Sequence, residues 1–273
     1  MKKLGFIGGG NMAEALAHGL IAHKVFKPAD LIASDVAAPR RNHLKRALKI
    51  SVTADNLAVI KQSRAILLAV KPQTIGGVLE SIAAALGPNP THHLFISIAA
   101  GVPIALICEH LGPRARVIRV MPNAPAMVGE GMAAIVCSRG ASKSDQAIAL
   151  RIFKSVGEAV ALKDENLLDA ITAVSGSGPA YVYLFAKAMI DAAVSAGLAR
   201  PLAAMITLKT IRGAEAMMRS SKLDLAEMIK VVASPGGTTV AALRRFAEAG
   251  FSDIVARAIH AAADRSRELG RAR

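Results

Sequence analysis

Short apolar runs alternate with amphipathic stretches from the start of the chain to Leu162. Residues 3–7, 31–34, 64–70, 93–98 and 116–120 are mostly apolar runs, the last with Arg116 and Arg119 in it, and near-continuous apolar runs are the pattern of strands buried on both sides. The stretches between them predict helices, one over residues 14–21 and another beginning near Pro39. Residues 132–137 and 158–162 read as further, edge-like strands. This alternation predicts an α/β fold: an N-terminal Rossmann-type, doubly wound, mostly parallel sheet over residues 1–162. From about residue 164 the pattern becomes helical throughout. Residues 181–198 are Ala-rich and apolar on nearly every face, and residues 201–219 open on Pro201, a helix-start signal. Residues 225–233, 240–249 and 252–269 continue the helical pattern. A helix apolar all round has to be covered on all sides. Residues 163–273 therefore read as an all-α dimerisation domain, with a helix central to a single-chain bundle as the other reading.

Chemistry enters at the strand ends. Gly8-Gly9-Gly10-Asn11-Met12-Ala13 follows the first strand and leads into the first helix. Gly8, Gly10 and Ala13 match G-x-G-x-x-G/A in the strand–turn–helix context that a dinucleotide site needs. The first glycine makes the turn, the second lets a pyrophosphate approach the backbone, and the third small residue lets helix and strand pack. Asp35 follows the second strand, where an acidic residue binds the 2′-hydroxyl of NAD, while Arg40 and Arg41 suit the 2′-phosphate of NADP. Asp35 can equally cap the helix near Pro39. The balance leans to NADP(H), with NAD(H) possible. Further polar punctuation follows later strands: Lys71-Pro72, Ala99-Ala100-Gly101 and Met121-Pro122-Asn123.

Near the far end, Ser234-Pro235-Gly236-Gly237-Thr238-Thr239 packs hydroxyls, glycines and a helix start into six residues. Such a loop presents backbone N–H groups to an anion at a helix N-terminus, a natural seat for a carboxylate. An ordinary capped turn is the alternative. Ser175-Gly176-Ser177-Gly178-Pro179 precedes the long apolar helix and reads either as a close backbone approach to a ligand or as a helix-start turn.

Composition narrows the field. A hydrophobic content of 53% over 273 residues supports one large or two modest domains. A net charge of +14 raises nucleic-acid binding, yet the basic residues are scattered and aromatics make up only 3%. The charge reads instead as a basic solvated surface biased toward anionic ligands, with no nucleic-acid partner. No apolar run reaches membrane-spanning length, no signal peptide is expected, and Cys108 and Cys137 lack disulfide or metal spacing, so a cytoplasmic protein without a membrane partner is expected. His92-His93 has no partner at ligand spacing, and no metal is assigned.

With these segments in hand, the sequence resembles the pyrroline-5-carboxylate reductase family over essentially its whole length. The resemblance rests on Phe6 to Met12, Ala69-Val70-Lys71-Pro72, Ser97 to Val102, Met121-Pro122-Asn123-Ala124-Pro125, Ser175 to Tyr181 and Ser234 to Thr239. It implies reduction of the C=N bond of Δ1-pyrroline-5-carboxylate to L-proline by NAD(P)H, the last step of proline biosynthesis. It also implies a homodimer, in some members a ring of dimers. By position it implies that Ile7, Gly8, Gly9, Gly10, Asn11, Met12, Ser34, Asn56, Ala69, Val70, Lys71, Pro72, Ala99 and Ala100 line the cofactor. Ser234, Gly236, Gly237 and Thr238 would hold the substrate carboxylate. Thr239 would meet the ring nitrogen as the catalytic residue, and Glu165 would be a substrate-side carboxylate. The alternatives are another imine reductase, a β-hydroxyacid dehydrogenase relative, or a non-catalytic NAD(P)H-binding sensor. Against the hydroxyacid dehydrogenases, the first lysine after Gly178 is Lys187, later than their pattern places one.

Overall fold

The computed structural model describes residues 2–87 and 90–271. Residue 1 and residues 272–273, the outer ends of the two expected domains, lie outside the described residues. The strands, in chain order, are β1 (Lys2–Ile7), β2 (Leu31–Ser34), β3 (Ser51–Thr53), β4 (Ser63–Leu68), β5 (Leu94–Ser97), β6 (Arg116–Met121), β7 (Gly131–Cys137) and β8 (Gly157–Leu162). They form one sheet in the order β3-β2-β1-β4-β5-β6-β7-β8. Pairing is parallel from β3 through to β6, antiparallel between β6 and β7, and parallel again between β7 and β8. The expected doubly wound, mostly parallel sheet is present. The apolar pattern misses β3, which is three residues long and has no buried position. The edge-like reading of residues 132–137 is corrected. β7 lies between β6 and β8, and Ala133, Ala134, Ile135 and Val136 are buried there. β8 is the edge strand, and only its Ala159 is buried.

Helices α1 (Asn11–Ala22), α2 (Ala38–Leu48), α3 (Asn56–Gln62), α4 (Ile75–Leu86), α5 (Ile104–Leu111) and α6 (Lys143–Phe153) cover the sheet. Successive strand residues point to opposite faces, so each continuous apolar strand feeds two cores. Leu4, Phe6, Leu67 and Ile96 pack with Leu16 and Leu20 of α1, Leu44 of α2 and Ile152 of α6. Ile7, Ile66, Leu68 and Phe95 pack on the other face with Ile60 of α3, Leu79 of α4 and Ile107 of α5. Each such side chain, fully buried, contributes about 1.5–3 kcal/mol.

One buried charge is built into this unit. Asp145, wholly buried in the first turn of α6, accepts from the Ser142 backbone N–H and hydroxyl at 2.9 and 2.8 Å, closing a capping box. Arg116 at the start of β6 donates to both its carboxylate oxygens, Nε at 3.0 Å. Burial pulls the Asp145 carboxyl up, but the hydrogen bonds from Arg116 and Ser142, with the Arg116 charge, outweigh it and hold the group below its ordinary value. A carboxylate with a depressed folded pKa stabilises in full above its unfolded value of about 4, and that stability is lost as pH falls through the folded value. Asp145→Asn is therefore expected to cost about 1–3 kcal/mol at pH 7 and progressively less below about pH 4. Urea unfolding across that pH range measures it. A cost that does not shrink on acidification contradicts the assignment.

The chain divides into two compact units. The first runs to Ser177 and takes in the end of the chain from Ala262; the second is Gly178–Ala261. In the first, α7 (Leu167–Ile171) passes into a π-helical turn over Thr172–Gly176, with Ser177 N–H bonding back to Thr172 O at 2.8 Å. The Ser175-Gly176 segment is therefore a widened helical turn. The second unit carries α8 (Gly178–Ser195), α9 (Arg200–Ser220), α10 (Leu225–Val232), α11 (Thr238–Glu248) and the start of α12 (Phe251–Arg271). Its only buried residues among those described are Ala186, Ala203 and Thr207. Tyr183 and Leu184 of α8 are 66% and 69% exposed. α8 is thus not central to a single-chain bundle. This unit has no large side chain in a core of its own, so its apolar faces call for a second surface.

Candidate functional site

β1 lies where the strand order reverses, between β2 and β4, and the crevice beyond the strand ends there is where ligands of such sheets bind. Gly8 leaves β1 with φ +96°, and its N–H donates to Ser34 O at 2.9 Å. A Cβ at Gly8 would lie 2.7 Å from Ala69 O, a backbone atom that cannot move aside. Gly10 is different. Its backbone is extended, it caps α1 without a side-chain bond, and a Cβ there would meet nothing within 4 Å. Gly8 thus serves the chain's own packing, while Gly10 leaves open space at the amino end of α1, whose first N–H groups have no partners within the helix. Ala13 is buried against the sheet side. These are the features a pyrophosphate needs, so the residues fit a dinucleotide.

The other expected cofactor residues gather at the same strand ends. Ser34 Oγ donates to Asn56 Oδ1 at 2.6 Å, joining the ends of β2 and the start of α3. The two oxygens of Asp35 accept from Gly9 N–H at 2.9 Å and Ala37 N–H at 2.8 Å, so this carboxylate braces the Gly-rich turn and its own loop. Arg40 bonds Gly9 O and pairs with Glu14 at 2.5 Å. Burial pulls the Glu14 carboxyl up, but bonds from His43 and Arg40 outweigh it and hold the group below its usual range. Arg41 donates to Asp35 O and Val36 O at 2.8 and 2.9 Å. The Arg40 guanidinium is therefore held at the Gly-rich turn and that of Arg41 at the β2–α2 loop. Ala69 N–H extends the β1–β4 pairing to Ile7 O at 2.8 Å, which places Ala69 and Val70 beside the turn. Lys71 beyond them is exposed, and Pro72 opens a short 3-10 turn. Ala99 is buried and Ala100 exposed in the turn after β5. That turn closes on Gly101, at φ +70°, where an added Cβ would lie 3.2 Å from Cβ of Leu269 in the last turns of α12.

Glu165 is in the same unit. Its Oε1 accepts from Ile104 N–H at 2.9 Å, at the start of α5, and pairs with Arg119 of β6 at 2.7 Å. Both side chains edge a cleft of about 440 Å³, together with Asn166, Asp169, Ser266 and Arg267. Sequence reasoning missed Arg119, although a charge inside an apolar strand was its signal. It also missed the role of Asn123. That side chain accepts from Met132 N–H at 2.8 Å and donates to Ser175 Oγ at 3.0 Å, tying two of the family segments together. Removing Glu165 leaves Arg119, 11% exposed, without its carboxylate. Glu165→Ala is expected to destabilise by about 1–3 kcal/mol, read by urea unfolding. Unchanged stability would contradict a holding role for the Glu165 carboxylate on Arg119 and the start of α5.

The Ser234–Thr239 segment lies in the second unit. Ser234-Pro235-Gly236-Gly237 is a turn with Gly236 at φ +72° and Gly237 N–H bonding Ser234 O at 3.0 Å, the geometry of a type II turn with Pro and Gly in their favoured places. Gly237 caps α11 without a side-chain bond. The threonines therefore do not cap α11 through their side chains. The hydroxyls of Thr238 and Thr239 make no hydrogen bond among the described residues, and the first N–H groups of a helix have no partners within it.

A glycine turn of this kind at the reversal point of a parallel sheet defines a dinucleotide-binding protein of the Rossmann class. The family comparisons go further. Residues 165–269 match the family described as pyrroline-5-carboxylate reductase dimerisation, and residues 3–101 the one described as NADP oxidoreductase, coenzyme F420-dependent. The chain is 41% identical to a pyrroline-5-carboxylate reductase of Synechocystis, over 98% of both chains. Among solved structures it is similar to a pyrroline-5-carboxylate reductase from Coxiella burnetii, with TM-score 0.91, 32% identity and 98% of both chains covered. It is likewise similar to the Plasmodium falciparum pyrroline carboxylate reductase with NADP bound, with TM-score 0.88, 33% identity and the same coverage. The chain belongs to the pyrroline-5-carboxylate reductase family.

Proposed function

We propose that this chain reduces the C=N bond of Δ1-pyrroline-5-carboxylate to give L-proline, using NADPH in preference to NADH. The observation that carries the reading is the end-to-end likeness to reductases of that name, which takes in both the glycine turn and the Ser234–Thr239 loop. When bound, the coenzyme supplies a hydride from its nicotinamide to the imine carbon. The chain's own residues bind and orient. Gly8 to Met12 seat the pyrophosphate, while Ser34, Asn56, Ala69 to Pro72, Ala99 and Ala100 line the rest of the cofactor site. Asp35 holds the turn by its backbone bonds, which leaves the 2′-position to Arg40 and Arg41. The seat for the substrate carboxylate is the turn Ser234 to Thr238 with the N–H groups at the start of α11. Thr239 hydrogen-bonds the ring nitrogen, which enters protonated, so that hydride arrival on carbon leaves a neutral secondary amine. Glu165 is a substrate-side carboxylate at the edge of its cleft.

In this reading residues 1–162 serve the nucleotide, and residues 163–273 serve the substrate and dimerisation. The exposed apolar side chains of the second unit meet a second copy, and such dimers assemble into a ring. Cytoplasmic location fits Cys108 and Cys137, both free thiols. The reading includes no nucleic-acid or membrane partner. Among the described residues no helix is long and apolar enough to cross a membrane. Loss of NADPH absorbance with the pyrroline substrate, beside the same assay with NADH and with proline quantified, tests the proposal. Faster turnover with NADPH supports it. A clear preference for NADH overturns the Arg40 and Arg41 assignment, and no turnover with either overturns the activity.

A further inference from the structure

A second cavity, of about 420 Å³, opens where β4, β5 and β6 begin, at the opposite strand ends from the glycine turn. Ala65, Leu94, Ile148 and Ile152 form its apolar side. Ala65, Leu94 and Ile152 belong to the buried core, so the hollow reaches down to the core itself. Its volume lies in the range of small-ligand sites.

The cavity's polar groups are all basic. Lys3 is held by Asp30 at 3.3 Å and lies over the Phe26 ring, and Arg116 is held by the buried Asp145. Arg64 and Arg151 also line it, are exposed, and make no ion pair among the described residues. His92 lines the cavity beside them. Two guanidinium groups without carboxylate partners, set beside an apolar hollow, are complementary to an anion with an apolar body. Water satisfies the guanidinium groups but not the free apolar surface of the hollow, where Ile148 is 40% exposed beside the nearly buried Leu94 and Ile152, whereas an aryl or branched alkyl group covers it.

We propose that this cavity binds a small organic anion, its apolar body against Leu94, Ile148 and Ile152 and its phosphate or carboxylate head between Arg64 and Arg151. The proposal is independent of the reductase activity, since none of these residues lies in the nucleotide or substrate machinery.

The full chain, labelled at Ile and Leu methyl groups, is titrated with phenyl phosphate, benzoate and inorganic phosphate and followed by NMR. Saturable shifts of the Leu94, Ile148 and Ile152 methyls with an aryl anion are expected, and the tighter of the two names the head group. Inorganic phosphate is expected to bind about tenfold more weakly or worse. The double variant Arg64→Gln/Arg151→Gln, at two exposed positions, is expected to raise Kd about tenfold while thermal midpoint and reductase turnover stay unchanged. No saturable shift with either aryl anion, an unchanged Kd in the double variant, or equal binding of inorganic phosphate would overturn the proposal.

Discussion

Gly10→Val keeps the fold and abolishes productive coenzyme binding. The expectation follows from the contrast between two glycines of one turn. At Gly8 a side chain would be driven into the Ala69 carbonyl from a backbone at φ +96°, so a substitution there damages the sheet as well as the site. At Gly10 the backbone is extended and an added Cβ would meet nothing within 4 Å. What it fills is the approach to the amino end of α1. Stability is expected to change by about 1 kcal/mol or less. kcat/KM for NADPH is expected to fall roughly a hundredfold or more, since displacing a bound reactant by about an ångström costs that much. Coenzyme titration of the variant, followed by nicotinamide fluorescence, measures the effect. Unimpaired NADPH binding would move the pyrophosphate site away from this turn.

Thr239→Ala is the second large effect. The hydroxyl makes no hydrogen bond among the described residues and α11 takes its cap from Gly237, so its removal is expected to leave stability intact. If it positions the ring nitrogen, kcat falls roughly ten- to a thousandfold, the range for losing one donor aimed at developing charge. Thr239→Ser restores most of the rate because it keeps the hydroxyl. KM for NADPH stays as in the parent chain, which separates this loss from a damaged nucleotide site. Full turnover by the alanine variant would refute the role.

The sheet was legible because its strands are apolar on both faces: Phe6 and Ile7, adjacent in sequence, end in opposite cores. β3 was not, because three partly exposed residues carry no such signal. β7 is the longest strand of the sheet, yet its place between β6 and β8 is set by pairing that one segment cannot reveal. The turn at Gly8 could be read from sequence, since its constraint is local: the chain leaves β1 at φ +96° beside Ala69. Glu165 could be placed only by likeness. That its carboxylate holds Arg119 and the start of α5 depends on residues 46 and 61 positions away, beyond the reach of local pattern. The exposure of Tyr183 and Leu184 could not be read from local sequence, since a helix apolar all round looks the same whether its own chain or a second copy covers it.

The most direct test of the central claim follows the hydride itself. The purified chain is given Δ1-pyrroline-5-carboxylate and NADPH deuterated at the transferring position of nicotinamide C4, and the proline formed is analysed by mass spectrometry and NMR. One deuterium at Cδ of proline, the former imine carbon, in proportion to coenzyme oxidised, is the predicted result. Coenzyme oxidation without deuterium in proline, or no proline at all, would contradict the account.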